Sequence, residues 1–68
     1  MESTYKVIEL IGSSPESWED AAKNALDKAS QSLEDIRIAE VVEMDVKVMN
    51  GKITNYRTKM GISFKYQE

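Results

Sequence analysis

The sequence predicts an α+β domain in which a strand, a helix and a β-hairpin follow one another in the order βαββ. Three observations support this fold: a β-branched stretch at residues 4–11, an apolar stripe with helical spacing that begins at Trp18, and two long strand-like segments joined by Asn50-Gly51. We expect a right-handed crossover. The first strand should pair with the third, giving a three-stranded antiparallel sheet of order 1-3-2 that partly wraps the helix.

The first strand is predicted for residues 4–11 and ends at Gly12. The next residues, 12–17, lead into the helix and are called the pre-helix segment. Its serines can cap free backbone N–H groups, and Pro15 suits a first helical position. Ser17 followed by Asp20 offers an alternative, capping-box-like start.

The helix is predicted from an apolar stripe with spacing i, i+3, i+4, i+7, i+8, i+11 and one late step. Its members are Trp18, Ala21, Ala22, Ala25, Leu26, Ala29 and Leu33. A helix of about 17 residues is roughly 25 Å long, enough to cross a strand. Because most of the stripe is alanine, the helix can approach the sheet closely but covers only one face. Trp18 is interpreted as a packing anchor on this stripe.

The hairpin is predicted from Arg37–Met49 and Lys52–Tyr66, because Asn50-Gly51 tolerates the positive φ angles of a type I′ turn. A two-residue turn with no irregularity pairs Val48 with Ile53, Val46 with Asn55, Met44 with Arg57 and Val42 with Lys59.

Both faces of this hairpin then carry apolar side chains. One face holds Ile38, Val42, Met44, Val46 and Val48; the other, assigned to the helix, holds Ala39, Val41, Tyr56, Met60, Ile62 and Phe64. A single helix cannot cover two faces. The first face is therefore assigned to neighbouring subunits, and the chain is predicted to be an obligate oligomer.

Size and composition narrow the functions further. The chain has 68 residues, which we interpret as one domain spanning residues 1–68, and it contains no cysteine or histidine. A core this small usually needs additional stabilisation, and disulfides are excluded. The commonest general base and the strongest nucleophile are missing, and no phosphate-binding glycine loop occurs. We therefore do not expect an enzyme.

The charge pattern does not favour a nucleic-acid or membrane partner. The net charge is −3, with 9 basic and 12 acidic residues and no basic cluster. No apolar run approaches the roughly 20 residues of a membrane span, and the first residues lack a signal-peptide pattern. We expect a soluble, cytoplasmic protein.

Three blocks of sequence, in this order, resemble the dodecin family. They are YKVIELIGSSPESWEDA at residues 5–21, IRIAEVVE at 36–43, and YRTK with ISFKY at 56–59 and 62–66. The resemblance covers nearly the whole chain. It implies a hollow homododecamer of βαββ subunits that binds a flavin (riboflavin, FMN or FAD) for storage and sequestration, without catalysis.

The resemblance also implies where a flavin would bind. Flavin-binding dodecins stack the ring on a tryptophan and bind its edge through a glutamine; the corresponding positions here are Ile38 and Arg57. Isoleucine loses the aromatic stacking energy, about 0.5–1.5 kcal/mol per pair. The candidate ligand-binding residues are Ile38, Glu43 and Arg57.

A second resemblance suggests a cation. The Ser-Pro-x-Ser-Trp-Glu run and the Asp-Ile-Arg-Ile-Ala run at residues 35–39 are similar to the calcium-dodecin branch, in which the stacking tryptophan is also missing. Calcium prefers six to eight hard oxygen ligands. The candidate metal ligands are Ser13, Ser14, Glu16 and Glu19. The alternative interpretation is that these serines cap the helix and the acids complement its dipole.

Two further residues attract attention in the strands. Glu40 interrupts an apolar face, and we expect it to form an inter-subunit salt bridge, with Arg57 or Lys59 as the candidate partner; a ligand contact is the alternative. Gly61 lies inside the third strand, where it would permit close approach of another backbone or a bound group.

Overall fold

A computed structural model describes residues 4–66 and contains four elements. They are β1 (Tyr5–Ser14), α1 (Trp18–Ser30), β2 (Ile36–Met49) and β3 (Lys52–Lys65). The strands form one sheet of order β1-β3-β2, and both pairs are antiparallel. The predicted α+β class, the βαββ sequence of elements and the strand order are confirmed.

β1 is longer and α1 shorter than predicted. β1 stays paired with β3 as far as Ser14, which lies opposite Tyr56. The helix begins after Ser17, whose extended backbone (φ −168°) and side-chain oxygen cap the helix by accepting from the Asp20 N–H at 3.0 Å. The alternative start is therefore the correct one. The helix ends at Ser30, so Leu33 packs on the core from the loop that follows.

The helix and sheet approach each other closely through small residues. Ala21, Ala25 and Ala29 are the buried residues of α1. A Cβ atom placed on Gly12 would lie 1.9 Å from the carbonyl oxygen of Ala21 and 3.0 Å from the Cβ of Ala25. Gly12 is thus needed for this contact, and the predicted close approach is confirmed.

The buried core is small and lies between α1 and the strands β1 and β3. Its fully buried members are Ala25, Ala29, Met60 and Ile62, with Ile8, Leu10, Ala22, Leu33 and Ile36 packed around them. The helix packs mainly on β1 and β3 and touches β2 at few places.

β2 is therefore uncovered over most of its length. Only Ile36 and Val46 are half-buried, and the other residues of this strand are exposed. Ile38 is 63% exposed and Met44 57%, although both are large and apolar. The prediction that one helix leaves apolar strand surface uncovered holds for the single subunit.

The turn is as predicted, but the hairpin register is not. Asn50 and Gly51 have φ angles of 52° and 76°, as a type I′ turn requires. Val48 lies opposite Ile53, as predicted, but the next pair is Lys47 with Asn55, so Thr54 is an extra residue on β3. The predicted pairing of Val46 with Asn55 is wrong.

A second irregularity reverses the first. Glu43 lies opposite Lys59 and Val41 opposite Met60, which leaves Val42 as the extra residue on β2. The segment 43–47 is thus displaced by one residue relative to the pairs on either side of it. The predicted pairing of Val42 with Lys59 is wrong for this reason.

The displacement moves two apolar side chains to the other face of the sheet. Met44 lies opposite Thr58 and Val46 opposite Tyr56, on the side where α1 packs. Their predicted place beside Ile38 is wrong, because a one-residue shift exchanges the faces of a strand. The sheet face away from α1 is called the open face below.

Among residues 4–66, α1 is too short and too polar to cross a membrane.

Candidate ligand and cation sites

A pocket of about 200 Å³ lies on the open face, where all three strands contribute side chains. It is lined by Ile11 of β1, Glu43 and Asp45 of β2, and Arg57 and Lys59 of β3. We call it the open-face pocket. Two of the three predicted ligand-binding residues, Glu43 and Arg57, meet here. Ile38 is not among the lining residues, since it lies further along β2, opposite Ser63.

A two-pronged ion pair closes one side of the pocket. The Nε and Nη2 atoms of Arg57 donate to the two carboxylate oxygens of Asp45, both at 2.7 Å. These hydrogen bonds hold the pKa of Asp45 below its ordinary value and raise the pKa of Arg57; desolvation acts in the opposite direction on both. Both side chains are exposed, so salt screens the pair.

Lys59 joins the three strands across the pocket floor. Its Nζ atom lies 3.6 Å from Glu9 of β1 and 3.5 Å from Glu43 of β2. The acids of the pocket are thus balanced by cations of the same subunit. Glu40 is opposite Gly61 instead, and within residues 4–66 it forms no ion pair. Neither Arg57 nor Lys59 pairs with Glu40 within the subunit, and the expected inter-subunit salt bridge stays a prediction.

The four predicted metal ligands are divided between the two sides of the sheet. Ser13 lies opposite Arg57 on β3 and shares the open face with it. Ser14 is 1% exposed and points towards the helix. Its hydroxyl donates to Asp20 at 2.6 Å and accepts from the N–H of Glu16 at 2.9 Å. Ser14 is therefore committed to these two bonds, but it is not the helix cap: Glu16 precedes the helix, and the cap is Ser17.

Glu16 and Glu19 are exposed and have no ion-pair partner in the part of the chain that the structure describes. They differ in this respect from the pocket acids Glu43 and Asp45. Over the same described residues, no group of three acidic side chains is arranged to hold a metal ion.

Trp18 connects the start of the helix to the pocket. Its ring packs edge-to-face on Tyr56 at 5.0 Å, and its Nε1 donates to the backbone oxygen of Asp45 at 3.0 Å. Thr58 donates to the Trp18 carbonyl oxygen at 2.9 Å. The prediction that Trp18 is a packing anchor is confirmed.

Sequence reasoning missed Ile11, Asp45 and Lys59 as pocket residues. Ile11 lies opposite Lys59 on β3, and Lys59 lies opposite Glu43 on β2. The missing information was the displaced register of segment 43–47. A signal was present in the alternation of Glu43, Asp45 and Lys47, which marks one polar face of this segment.

The fold is that of small βαββ proteins whose solved examples are dodecins. The chain superposes on a dodecin from Streptomyces davaonensis with a TM-score of 0.90 at 32% identity, covering 100% of both chains. Residues 4–67 match the family model described as Dodecin. The chain therefore belongs to the dodecin family, whose members are small-ligand-binding proteins.

Two further comparisons involve a calcium dodecin of Mycobacterium tuberculosis. The curated sequence is 55% identical over 64 residues, which cover 93% of this chain and 89% of the relative. A crystal structure described as a calcium-chelating immunodominant antigen with a novel calcium-binding site has a TM-score of 0.85 at 52% identity, covering 96% and 93% of the two chains. The expected flavin, storage role and cytoplasmic location remain predictions.

Proposed function

We propose that this protein is a non-catalytic binding protein that assembles from twelve copies and takes Ca²⁺ as its ligand. The observation that carries the choice of ligand is the 55% identity to the M. tuberculosis calcium dodecin. Ile38 supports the same choice, because an aliphatic side chain lacks the aromatic face on which a flavin ring would stack.

Self-assembly is supported by the surface of β2. This 14-residue strand exposes Ile38 and Val42 on the open face and Met44 on the helix side. Large apolar side chains on both sides of an edge strand favour association with other chains. Further copies of the same chain are the partner that family membership suggests.

The chemistry of the carboxylates supports a cation site at the start of the helix, formed by Glu16 of the pre-helix segment and Glu19 in the first turn of α1. Glu43 and Asp45 are already paired with Lys59 and Arg57, so a cation would have to displace these partners. Among residues 4–66, Glu16 and Glu19 have no such competitor. The positive end of the helix dipole opposes a cation here, so we propose that these carboxylates bind calcium together with oxygen atoms of another subunit.

Calcium calorimetry combined with native mass spectrometry tests this proposal. The parent should give a mass of about 92 kDa, twelve times 7.7 kDa, and should bind calcium with measurable heat. In a Glu16→Gln/Glu19→Gln variant we expect at least about tenfold weaker binding, since each lost carboxylate removes a charged ligand. A Glu43→Gln/Asp45→Asn variant removes the same charge from the pocket and serves as the matched control.

Three outcomes would count against the proposal. An assembled parent that produces no heat and no calcium-dependent mass shift rejects the ligand. A control variant that loses calcium while the Glu16/Glu19 variant retains it places the site in the pocket instead. A stable, folded monomer at micromolar concentration rejects the assembly.

Flavin binding is the second candidate function. The observation in its favour is that Glu43 and Arg57 line the same pocket. This pocket includes part of β2, the strand that we assign to a subunit interface. Titration of riboflavin, FMN and FAD with fluorescence detection decides the matter. A dissociation constant of about 1 µM or below would establish flavin binding, and a much larger constant would reject it.

A further inference from the structure

We propose that Trp18 is the positioning residue of the open-face pocket, because its indole N–H fixes the displaced register of segment 43–47. This role concerns how the pocket is built and goes beyond the proposed function, since it holds whichever ligand the protein takes.

The pocket exists only in the displaced register. With this register, Asp45 lies opposite Arg57 and Glu43 opposite Lys59, so acid and base share the open face. In the regular hairpin register, which the tight turn by itself favours, Met44 would lie opposite Arg57. A return to the regular register would therefore replace the charged lining of the pocket by an apolar one.

The strand pair itself gives little reason to prefer the displaced register. It requires two irregularities, with Thr54 extra on β3 and Val42 extra on β2, and each leaves a residue out of the ladder. The Asp45–Arg57 and Glu43–Lys59 pairs favour the displaced register, but their side chains are partly or largely open to solvent, which weakens both pairs. A contact from outside the hairpin is therefore needed to favour the displaced register over the regular one.

Trp18 supplies that contact at the middle of the displaced segment. Its Nε1 donates to the backbone oxygen of Asp45 at 3.0 Å, and its ring is held by Tyr56, the residue opposite Val46. Because the acceptor is a main-chain atom, this hydrogen bond depends on the position of β2 and not on which side chain residue 45 carries. The rest of α1 packs mainly on β1 and β3, so Trp18 links the helix to β2 where the register matters.

Intrasubunit disulfide formation measures the register directly, because the natural chain has no cysteine. Lys47→Cys with Asn55→Cys reports the displaced register, and Val46→Cys with Asn55→Cys reports the regular one. Each pair is oxidised in the assembled protein with Trp18 or with Trp18→Phe, which keeps an aromatic ring but removes the donor. Denaturing electrophoresis separates crosslinks within a subunit from those between subunits.

With Trp18 present, the Lys47/Asn55 pair should close rapidly and the Val46/Asn55 pair slowly. In Trp18→Phe the Val46/Asn55 rate should rise about fivefold, the change expected for one lost hydrogen bond. A Glu40→Cys/Met60→Cys pair is also one residue out of register, but it lies outside the displaced segment. Its rate should be the same with Trp18 and with Trp18→Phe, which excludes a general loosening of the hairpin. An unchanged Val46/Asn55 rate, or an equal rise in the Glu40/Met60 pair, overturns the proposal.

Hydrogen exchange provides a measurement that does not depend on the variant folding. The chain has one tryptophan, so one indole N–H signal reports the bond to Asp45. In the unmodified protein this proton should exchange at least about fivefold more slowly than a free indole N–H. Exchange at the free rate would show that the bond does not hold β2, and the proposal would fail regardless of calcium or flavin binding.

Discussion

Replacement of Gly12 by alanine should destabilise the subunit strongly. The added Cβ would lie 1.9 Å from the carbonyl oxygen and 2.9 Å from the carbonyl carbon of Ala21, both backbone atoms of the helix. An ordinary carbon–oxygen contact is well above 3 Å, so α1 must move away from β1 by more than about 1 Å. No flexible side chain can give way in its place.

The cost follows from what this movement separates. Overpacking of a tight contact costs about 1–3 kcal/mol and occasionally more. The shift also loosens Ala21 and Ala25, which are 0% and 4% exposed in the subunit. We expect a loss of about 3 kcal/mol or more from the free energy of unfolding, a large part of the 5–15 kcal/mol typical of a domain.

Urea unfolding followed by circular dichroism measures the effect, at one fixed subunit concentration because assembly contributes to stability. Gly61→Ala is the matched control. Its Cβ would lie no closer than 3.5 Å to the nearest atom, Val42 Cγ2, which is ordinary contact. A Gly12→Ala protein within about 0.5 kcal/mol of the parent would refute this account of helix–sheet packing. A large loss in Gly61→Ala would show a neighbouring subunit approaching β3.

Three other changes have expected outcomes. Because the pKa of Asp45 is lowered in the fold, its pair with Arg57 stabilises the protein above pH about 4, and this stabilisation is lost as the pH falls through the lowered pKa. Arg57→Gln should remove this contribution from an acid-unfolding curve. A variant curve identical to that of the parent would contradict this expectation. Ser14→Ala should cost about 1–2 kcal/mol in urea unfolding, since it removes a buried hydroxyl that bonds Asp20 and Glu16, and a cost near zero would show that water replaces it. Met44→Lys should leave the subunit fold intact by circular dichroism and reduce the mass of the native assembly. Retention of the full assembly would show that the helix side of β2 is not part of the interface.

The choice of calcium for the proposed cation site comes from the similarity to the M. tuberculosis calcium dodecin and not from side-chain geometry within one subunit. Ser14 is committed to the Asp20 and Glu16 bonds, whereas Glu16 and Glu19 have exposed carboxylates. The sequence brought these residues together because they are close in the chain. Ser13 and Ser14 lie on opposite sides of the sheet because β1 extends to Ser14, and this extension depends on pairing with β3.

The elements themselves could be predicted because their causes are local. The alanine stripe, the Ser17 cap and the Asn50-Gly51 turn act within a few residues, and the structure reproduces all three. The surplus of apolar positions in β2 also indicated that one helix would leave the sheet partly uncovered. These features required only the periodicity of side chains along a strand and a helix.

The tertiary structure alone decided which residues share a face and therefore which ones form a pocket. Thr54 and Val42 each leave the ladder, and between them Glu43 and Asp45 come to lie beside Lys59 and Arg57. A strand register is the sum of turn geometry, cross-strand pairs and contacts from distant elements, here including the bond from Trp18 to Asp45. Local sequence could specify the turn, but the contact from the helix exists only after the chain has folded.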